Sequence, residues 1–109
     1  MAVVLGAFEQ AVLLAVLRLR EEAYGRAILA DVQAGLGRDV AAGAVHATLS
    51  RLERKGLLSS EVREGTVIRA GRPRRYYGLQ PQGRRALLEA RLAVKHLWRG
   101  FKSPLKGRA

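Results

Sequence analysis

Cysteine is absent from this chain of 109 residues. Its absence excludes a disulfide framework, a thiolate nucleophile and a cysteine-ligated zinc site. Long apolar runs are missing as well, since the run from Ala11 to Leu17 is far below the roughly 20 residues that span a bilayer. The apolar N-terminal segment lacks a basic start and is interrupted by Glu9 and Gln10, so it is not expected to be a signal peptide. We therefore expect a cytoplasmic protein with no membrane partner.

Acidic residues are scarce, with nine Asp and Glu against twenty Lys and Arg, and the net charge is +11. The imbalance belongs to one half of the chain. Residues 1–56 carry seven basic and six acidic residues, a net charge of +1, whereas residues 57–109 carry thirteen and three, a net charge of +10. This excess indicates that the second half binds a polyanion. The charge alone fits nucleic acid or an anionic membrane surface, and the motifs described below favour nucleic acid.

The sequence contains no set of residues suited to catalysis. It has no paired carboxylates, no nucleophile beside a base and no phosphate-cradling glycine loop. His46 has no second metal ligand at its helical neighbours Leu49 and Ser50, so we expect a surface histidine and neither a metal nor a cofactor. The chain is not predicted to be an enzyme.

Apolar periodicity predicts three helices, two short strands and a fourth helix. The first helix is apolar almost all round, which is typical of a helix at the centre of a core or an interface. In the second helix, Glu21 and Glu22 are expected near the positive N-terminal end. Gly35 and Gly37 are its predicted stop signals. The predicted helices span residues 6–20, 21–37, 40–56 and 81–98, and the strands span residues 57–65 and 74–79.

This order of elements predicts a mainly α fold with a small β-hairpin, in which residues 1–80 form a winged helix-turn-helix domain. A closing helix follows over residues 81–98, and Pro81 suits its first turn. Residues 99–109 are expected to form a basic, mobile tail. The length of the chain accords with one domain of this kind.

The third helix is the candidate for reading DNA. With Val45, Leu49 and Leu52 turned inward, its outward positions are free to enter a major groove. Small side chains at its start let the backbone approach DNA closely, and Arg51 is within reach of a guanine edge or a phosphate. The alternative is a solvated polar face without a partner. The candidate DNA-binding residues on this helix are Gly43, Ala44, His46, Ala47, Ser50, Arg51 and Arg54.

A second group of candidates lies in or beside the connection between the two strands. Five arginines accompany the single acid Glu64 there, namely Arg63, Arg69, Arg72, Arg74 and Arg75. Such a wing places cations against phosphates or in a minor groove, and Pro73 restricts how they project. We assign Arg72, Arg74 and Arg75 to DNA binding. Because neighbouring strand residues face opposite sides, one of Tyr76 and Tyr77 is expected in the core and the other near the DNA.

Three segments together resemble a PadR-type transcriptional regulator, and they occur in the right order and spacing. They are "AYGRAI" (residues 23–28), "GAVHATLSRLERKGLL" (residues 43–58) and "GRPRRYYGLQPQG" (residues 71–83). The resemblance covers roughly residues 7–95. It implies a winged helix-turn-helix regulator that binds double-stranded DNA as a homodimer.

The chain departs from the family's pattern at four positions. His46 and Ala47 stand where an aromatic residue and a proline are usual, so the operator sequence is not carried over. Ala41 replaces a helix-capping serine, and Asp39 or the bare backbone must therefore cap the third helix. Gln80 replaces the usual threonine before the closing helix.

The resemblance implies that the closing helix makes the main dimer contact and that the first helix assists. The closing helix carries one broad apolar stripe and a separate strip at Leu88 and Leu92, which suits a core and a partner. The alternative is a single core stripe in a monomer. The predicted interface residues are Leu87, Ala90, Val94, Leu97 and Trp98. Some family members sense phenolic acids or planar drugs near the dimer interface, where Trp98 and Phe101 would form an aromatic wall; packing alone is the alternative.

The leading hypothesis is a transcriptional repressor that binds a pseudo-palindromic operator through the third helix and the wing. The alternative is a winged-helix architectural or protein-interaction module with little sequence specificity. The alanine-rich start of the third helix favours that alternative. RNA binding is a third option, but the sequence lacks the glycine–aromatic signature of an RNA-recognition sheet.

Overall fold

The computed structural model describes residues 4–65 and 70–101. The predicted mainly helical class with a two-stranded wing is confirmed. Arg69 and residues 102–109, which were assigned to the wing and the tail, lie outside the described residues. The elements are α1 (Ala7–Leu19), α2 (Gly25–Leu36), α3 (Ala42–Arg54), β1 (Leu58–Arg63), β2 (Arg74–Leu79) and α4 (Pro81–Leu97).

Helix α1 lies at the centre of the fold. It lies against α2, α3, β2 and α4, as expected for a helix that is apolar on nearly every face. Burial of its apolar side chains removes apolar surface from water and is the main favourable contribution to folding. The buried residues of α1 are Val12, Leu13, Ala15 and Val16.

The predicted start of α2 is wrong. Glu21 and Glu22 belong to a separate 3₁₀ turn, and the α-helix begins at Gly25. The reason lies between them, where the backbone N–H of Tyr77 donates a 2.8 Å hydrogen bond to the carbonyl oxygen of Ala23. This bond directs the carbonyl of Ala23 toward β2 and away from a helical partner, and Tyr24 after it is extended, so the α-helix starts only at Gly25. At the other end Gly35 lies inside the helix, and Gly37 alone ends it.

The wing is an antiparallel hairpin in which Leu58 pairs with Leu79 and Arg63 pairs with Arg74. Strand β2 lies between β1 and the short extended segment at Tyr24, which forms an isolated bridge with Tyr76. The side chains of β2 alternate between the two faces of the hairpin. Among the described residues, no helix is long and apolar enough to cross a membrane.

A glycine in the left-handed backbone conformation ends α3 and directs the chain into the wing. Gly56 has φ +80° and donates its N–H to the carbonyl oxygen of Glu53 at 3.0 Å. The N–H of Leu57 donates to the carbonyl oxygen of Leu52, also at 3.0 Å, which completes a Schellman motif. The turn therefore places β1 directly after α3, so the wing lies beside that helix.

Candidate nucleic-acid interface

The outward face of α3 has the predicted composition. Val45, Leu49 and Leu52 are buried, as expected. The opposite side of the helix carries one row of four residues, spaced four, three and four positions apart. They are Gly43, Ala47, Ser50 and Arg54. Gly43, Ala47 and Arg54 in this row are exposed and Ser50 is half-buried. The row presents a narrow, mostly small surface from which the α3 backbone can approach another molecule closely.

An open groove of about 740 Å³ lies between the N-terminal end of α2, helix α3 and strand β2. Apolar and aromatic side chains form part of its lining, including Leu29, Val45, Leu49 and Tyr77. Among the described residues its lining contains no carboxylate. The basic residues and the histidine that line the groove are Arg26, His46, Arg72, Arg74 and Arg75.

The three assigned wing arginines therefore meet in one place, and each is held differently. Arg75 donates a 2.9 Å hydrogen bond from its guanidinium to Ser60 Oγ, and Ser60 donates one of 2.8 Å to Glu53 Oε2. The guanidinium carbon of Arg74 lies over the ring of Tyr24, 3.8 Å from its centroid. Arg72 is exposed and makes no ion pair within the described part of the chain. A groove with these donors and no acid favours an anionic ligand.

Two other candidate arginines do not face the groove. Arg51 Nε lies 3.6 Å from Glu9 Oε2, and its Nη2 donates to Thr48 Oγ1 at 3.3 Å. Its guanidinium is thus directed toward α1. Arg63 donates a 2.8 Å hydrogen bond to Glu61 Oε2 and lies over the ring of Tyr76. Ala44 is exposed but belongs to the same edge of α3 as Arg51.

The two tyrosines of β2 face opposite sides, as predicted. Tyr77 is buried, and burial raises the pKa of its hydroxyl despite the nearby charge of Arg75. Tyr76 is half-buried and packs edge-to-face against Tyr24, with 5.7 Å between ring centroids. Tyr76 is not part of the groove lining, so the structure gives no support to its predicted place beside DNA.

Two helices begin at the groove without a side-chain cap. The N-cap position is occupied by Ala41 in α3 and by Tyr24 in α2, and neither side chain accepts a hydrogen bond from the first turn of its helix. Of the two predicted possibilities for α3, Asp39 or the bare backbone, the structure has the bare backbone. The free amides of a helix N-terminus carry a partial positive charge, which adds to the attraction for an anion.

Sequence reasoning missed two polar side chains of the groove, those of Tyr24 and Arg26. Both lie in the "AYGRAI" segment, which carries part of the family resemblance. The signal that could have found them is an aromatic residue and an arginine at the start of α2, since the first helix of a helix-turn-helix crosses the DNA backbone. Across the described residues, no group of three His, Cys, Asp or Glu side chains could hold a metal ion.

The predicted dimer residues of α4 fall into two groups, one packed on the chain's own core and one exposed to solvent. Leu87 and Ala90 are half-buried and pack against the chain's own core. Val94, Leu97 and Trp98 are exposed, with 46%, 78% and 46% of their surfaces accessible. The separate strip at Leu88 and Leu92 is exposed as well. The second half of α4 therefore contributes little to the core of this chain and presents apolar surface to solvent.

Comparison with known proteins identifies the family. Residues 13–89 match the transcriptional regulator PadR-like family. A transcriptional regulator of Mycobacterium tuberculosis is 46% identical over 63 residues, which are 58% of this chain and 55% of that relative. A PadR-like transcription factor from Bacteroides fragilis has 32% identity and a TM-score of 0.66, over 82% of this chain and 81% of that chain. A PadR family regulator from Eggerthella lenta has 33% identity and a TM-score of 0.66, over 88% of this chain and 81% of that one. With a family match over most of its length and two similar structures of the same kind, this chain belongs to the PadR-like family of transcriptional regulators.

Proposed function

We propose that this chain is a sequence-specific DNA-binding regulator that represses transcription by occluding its operator. One observation carries the proposal: the groove beside α3 gathers Arg26, Arg72, Arg74 and Arg75, with no carboxylate in its described lining. Phosphate contacts from such cations supply most of the affinity for DNA by releasing counterions. The exposed row of α3 would then enter the major groove, where base edges can be distinguished.

The proposed active form is a homodimer. Its two-fold symmetry would place two copies of α3 in successive major grooves about 34–36 Å apart, over a pseudo-palindromic site. The exposed apolar side chains of α4 support this form, because a partner chain that covers them would remove their surface from water. We assign residues 1–80 to DNA binding and residues 81–98 to dimerisation.

A second candidate function is an architectural module that binds DNA with little sequence preference. The start of α3 favours it, since Ala42, Gly43 and Ala44 provide no side-chain hydrogen bonds to bases. Membership in a family of transcriptional regulators favours the regulator and also supports the prediction that the chain is not an enzyme.

Selection of bound fragments from the genomic DNA of the source organism distinguishes the specific regulator from the architectural module. A specific regulator should enrich one or a few promoter sites with a repeated half-site, and it should prefer them over random DNA by about a thousandfold or more. Occlusion further requires the enriched site to overlap the promoter. Recovery of unrelated fragments with equal affinity would contradict sequence-specific regulation and favour the architectural module.

The proposal includes a planar small-molecule effector near the dimer contact. Trp98 and Phe101 lie edge-to-face with 6.1 Å between ring centroids, on the exposed end of the chain's described part. Trp98 is the chain's single tryptophan, so an effector that binds beside it should change the fluorescence of the protein. Titration with phenolic acids tests this point, and unchanged fluorescence and DNA affinity would count against an effector of that class.

A further inference from the structure

Four side chains from three parts of the fold form one stack, which we call the Arg–Tyr stack. The guanidinium carbon of Arg74 lies 3.8 Å from the ring centroid of Tyr24. The rings of Tyr24 and Tyr76 meet edge-to-face, 5.7 Å apart at an angle of 63°. On the far side, the guanidinium carbon of Arg63 lies 4.2 Å from the ring centroid of Tyr76. Cations thus cover both ends of an aromatic pair, which is an attractive arrangement because ring faces carry negative potential.

Tyr24 belongs to the helical body, and its backbone also bridges to Tyr76 in the core-proximal part of β2. It is the N-cap of α2, and its carbonyl oxygen accepts a 2.9 Å hydrogen bond from the N–H of Ile28. The 2.8 Å hydrogen bond from Tyr77 N–H to the carbonyl of Ala23 fixes the residue before it. The ring therefore has a position set by the core, whereas Arg74 is the first residue of β2, at the base of the wing. Their contact joins the wing to the body beside the groove.

The contact leaves the hydrogen-bonding capacity of Arg74 unused. Within the described residues the side chain of Arg74 makes neither a hydrogen bond nor an ion pair, although it lines the groove. A guanidinium that stacks on a ring keeps its five N–H donors in its own plane, where they can still bind a phosphate. Arg75 differs, because one of its donors is already bonded to Ser60. A side chain held in place before binding also loses less conformational entropy when it binds.

We propose that Tyr24 is a positioning residue for DNA binding, whose ring holds the guanidinium of Arg74 in the groove as a preformed phosphate donor. Tyr76 braces the ring of Tyr24, and Arg63 closes the stack on the side away from the groove. This inference rests on the proposed DNA-binding function. It assigns to an uncharged residue a share of the electrostatic affinity.

A double-mutant cycle tests the proposal, with a labelled random-sequence DNA duplex as the probe and affinity measured over a range of salt concentrations. Arg74→Ala should weaken binding and reduce the magnitude of the negative slope of log affinity against log salt by about one, as for a lost phosphate contact. Tyr24→Leu should weaken binding by about two- to fivefold, the usual strength of an exposed cation–π contact. Tyr24→Leu should also make the salt dependence of binding less steep, although it removes no charge. In the Tyr24→Leu background, Arg74→Ala should cost clearly less than it does in the wild type.

Arg72 provides the matched control, because it lines the same groove but has no cation–π contact in the described part of the chain. The effects of Tyr24→Leu and Arg72→Ala should add. Tyr24→Phe keeps the ring and should retain wild-type affinity and slope. Additive effects of Tyr24→Leu and Arg74→Ala would overturn the proposal. Equal coupling of Tyr24 to Arg72 and to Arg74 would overturn it as well, because Tyr24 would then support the whole wing.

The outcomes also separate this inference from the proposed function. If the wild-type chain fails to bind duplex DNA even at low salt, the DNA-binding function itself is wrong. If the wild type binds, Arg74→Ala weakens it and the cycle is additive, only the role of Tyr24 is wrong. Thermal unfolding of each variant monitors the fold. Should Tyr24→Leu not fold, Tyr24→Met replaces it in the same cycle.

Discussion

At the scale of single residues, the carboxylate of Glu9 shows how one side chain joins distant parts of the chain. Glu9 Oε1 accepts a 3.1 Å hydrogen bond from the N–H of Gly6 at the start of α1. Its Oε2 lies 3.4 Å from Lys55 Nζ and 3.6 Å from Arg51 Nε, at the end of α3. Burial acts to raise the pKa of Glu9, but the hydrogen bond and the two cations outweigh it and hold the pKa below its ordinary value. The ionised form is thus the one that the fold stabilises.

The lowered pKa predicts a pH-dependent contribution to stability. A carboxyl group with a lower pKa in the folded state stabilises the fold above its unfolded pKa of about 4.3, and this contribution disappears as the pH falls through the folded pKa. Glu9→Gln should therefore lower the free energy of unfolding by about 0.5–1 kcal/mol at pH 7, since the pairs with Lys55 and Arg51 are partly exposed. Urea unfolding of both proteins between pH 3 and pH 7 measures the difference, which should shrink toward acid pH.

The exposed carboxylate of Glu22, which has no ion pair among the described residues, offers a control. Glu22→Gln should leave the stability nearly unchanged over the same pH range. A loss in Glu9→Gln that stays constant down to pH 3 would show that the charge of Glu9 contributes nothing.

At the scale of elements, the position of α4 depends on a glycine. Gly83 lies in the first turn of α4, where a Cβ atom would collide with the carbonyl oxygen of Leu57 and lie 2.7 Å from Leu79 Cδ1. The Leu57 carbonyl also accepts a 3.0 Å hydrogen bond from the N–H of Gln80. The backbone of α4 therefore packs directly on the chain that enters β1. This close approach sets the direction in which α4 leaves the winged domain.

We expect Gly83→Ala to destabilise the protein, although alanine is the better helix former. The intrinsic gain of about 0.5–1 kcal/mol is smaller than the cost of about 1–3 kcal/mol for forcing an atom into a packed site, because the obstacle is backbone. Gly35→Ala is the matched control, since Gly35 also lies in a helix but has open space around it. That variant should gain about 0.5–1 kcal/mol. Chemical denaturation compares the two, and a stabilised Gly83→Ala would show that the contact is loose.

At the scale of the whole molecule, the first half of α4 packs into the core of this chain and the second half does not. Gly83 and Ala86 are buried in the core, whereas every residue from 91 to 101 is exposed. Apolar residues account for much of the exposed part, with Leu97 accessible over 78% of its surface. A second chain that covers this surface would recover the hydrophobic free energy that one chain leaves in water.

Replacement of Leu97 and Trp98 by serine should convert the proposed dimer to a monomer. Loss of two large apolar contacts, at about 1.4 kcal/mol or more each, raises the dimer dissociation constant at least about a hundredfold. Light scattering coupled to size-exclusion chromatography measures the mass over a range of concentrations. Arg91→Ser with Lys95→Ser changes two exposed polar residues of the same helix and should leave the mass unchanged. A wild-type chain that stays monomeric at its highest soluble concentration would contradict the proposed dimer.

The order of elements and the inward faces could be predicted from the sequence, and the partners of individual cations could not. Val45, Leu49 and Leu52 recur at the helical period, so their burial follows from local spacing. The alternation of a strand likewise requires Tyr76 and Tyr77 to face opposite sides. By contrast, Arg51 and Arg74 look alike in the sequence. One pairs with Glu9, which lies 42 positions away, and the other stacks on Tyr24, 50 positions away.

Periodicity, charge and turn residues act over a few neighbouring positions, and they suffice for the helices, the hairpin and a basic second half. The composition of the groove arises differently, because α2, α3 and β2 each contribute side chains that are remote in the chain. Which arginines face that groove depends on where the nearest acids and rings lie after packing. Long-range contacts of this kind set the distances over which charges and rings interact, and those distances exist only once the core around α1 has formed.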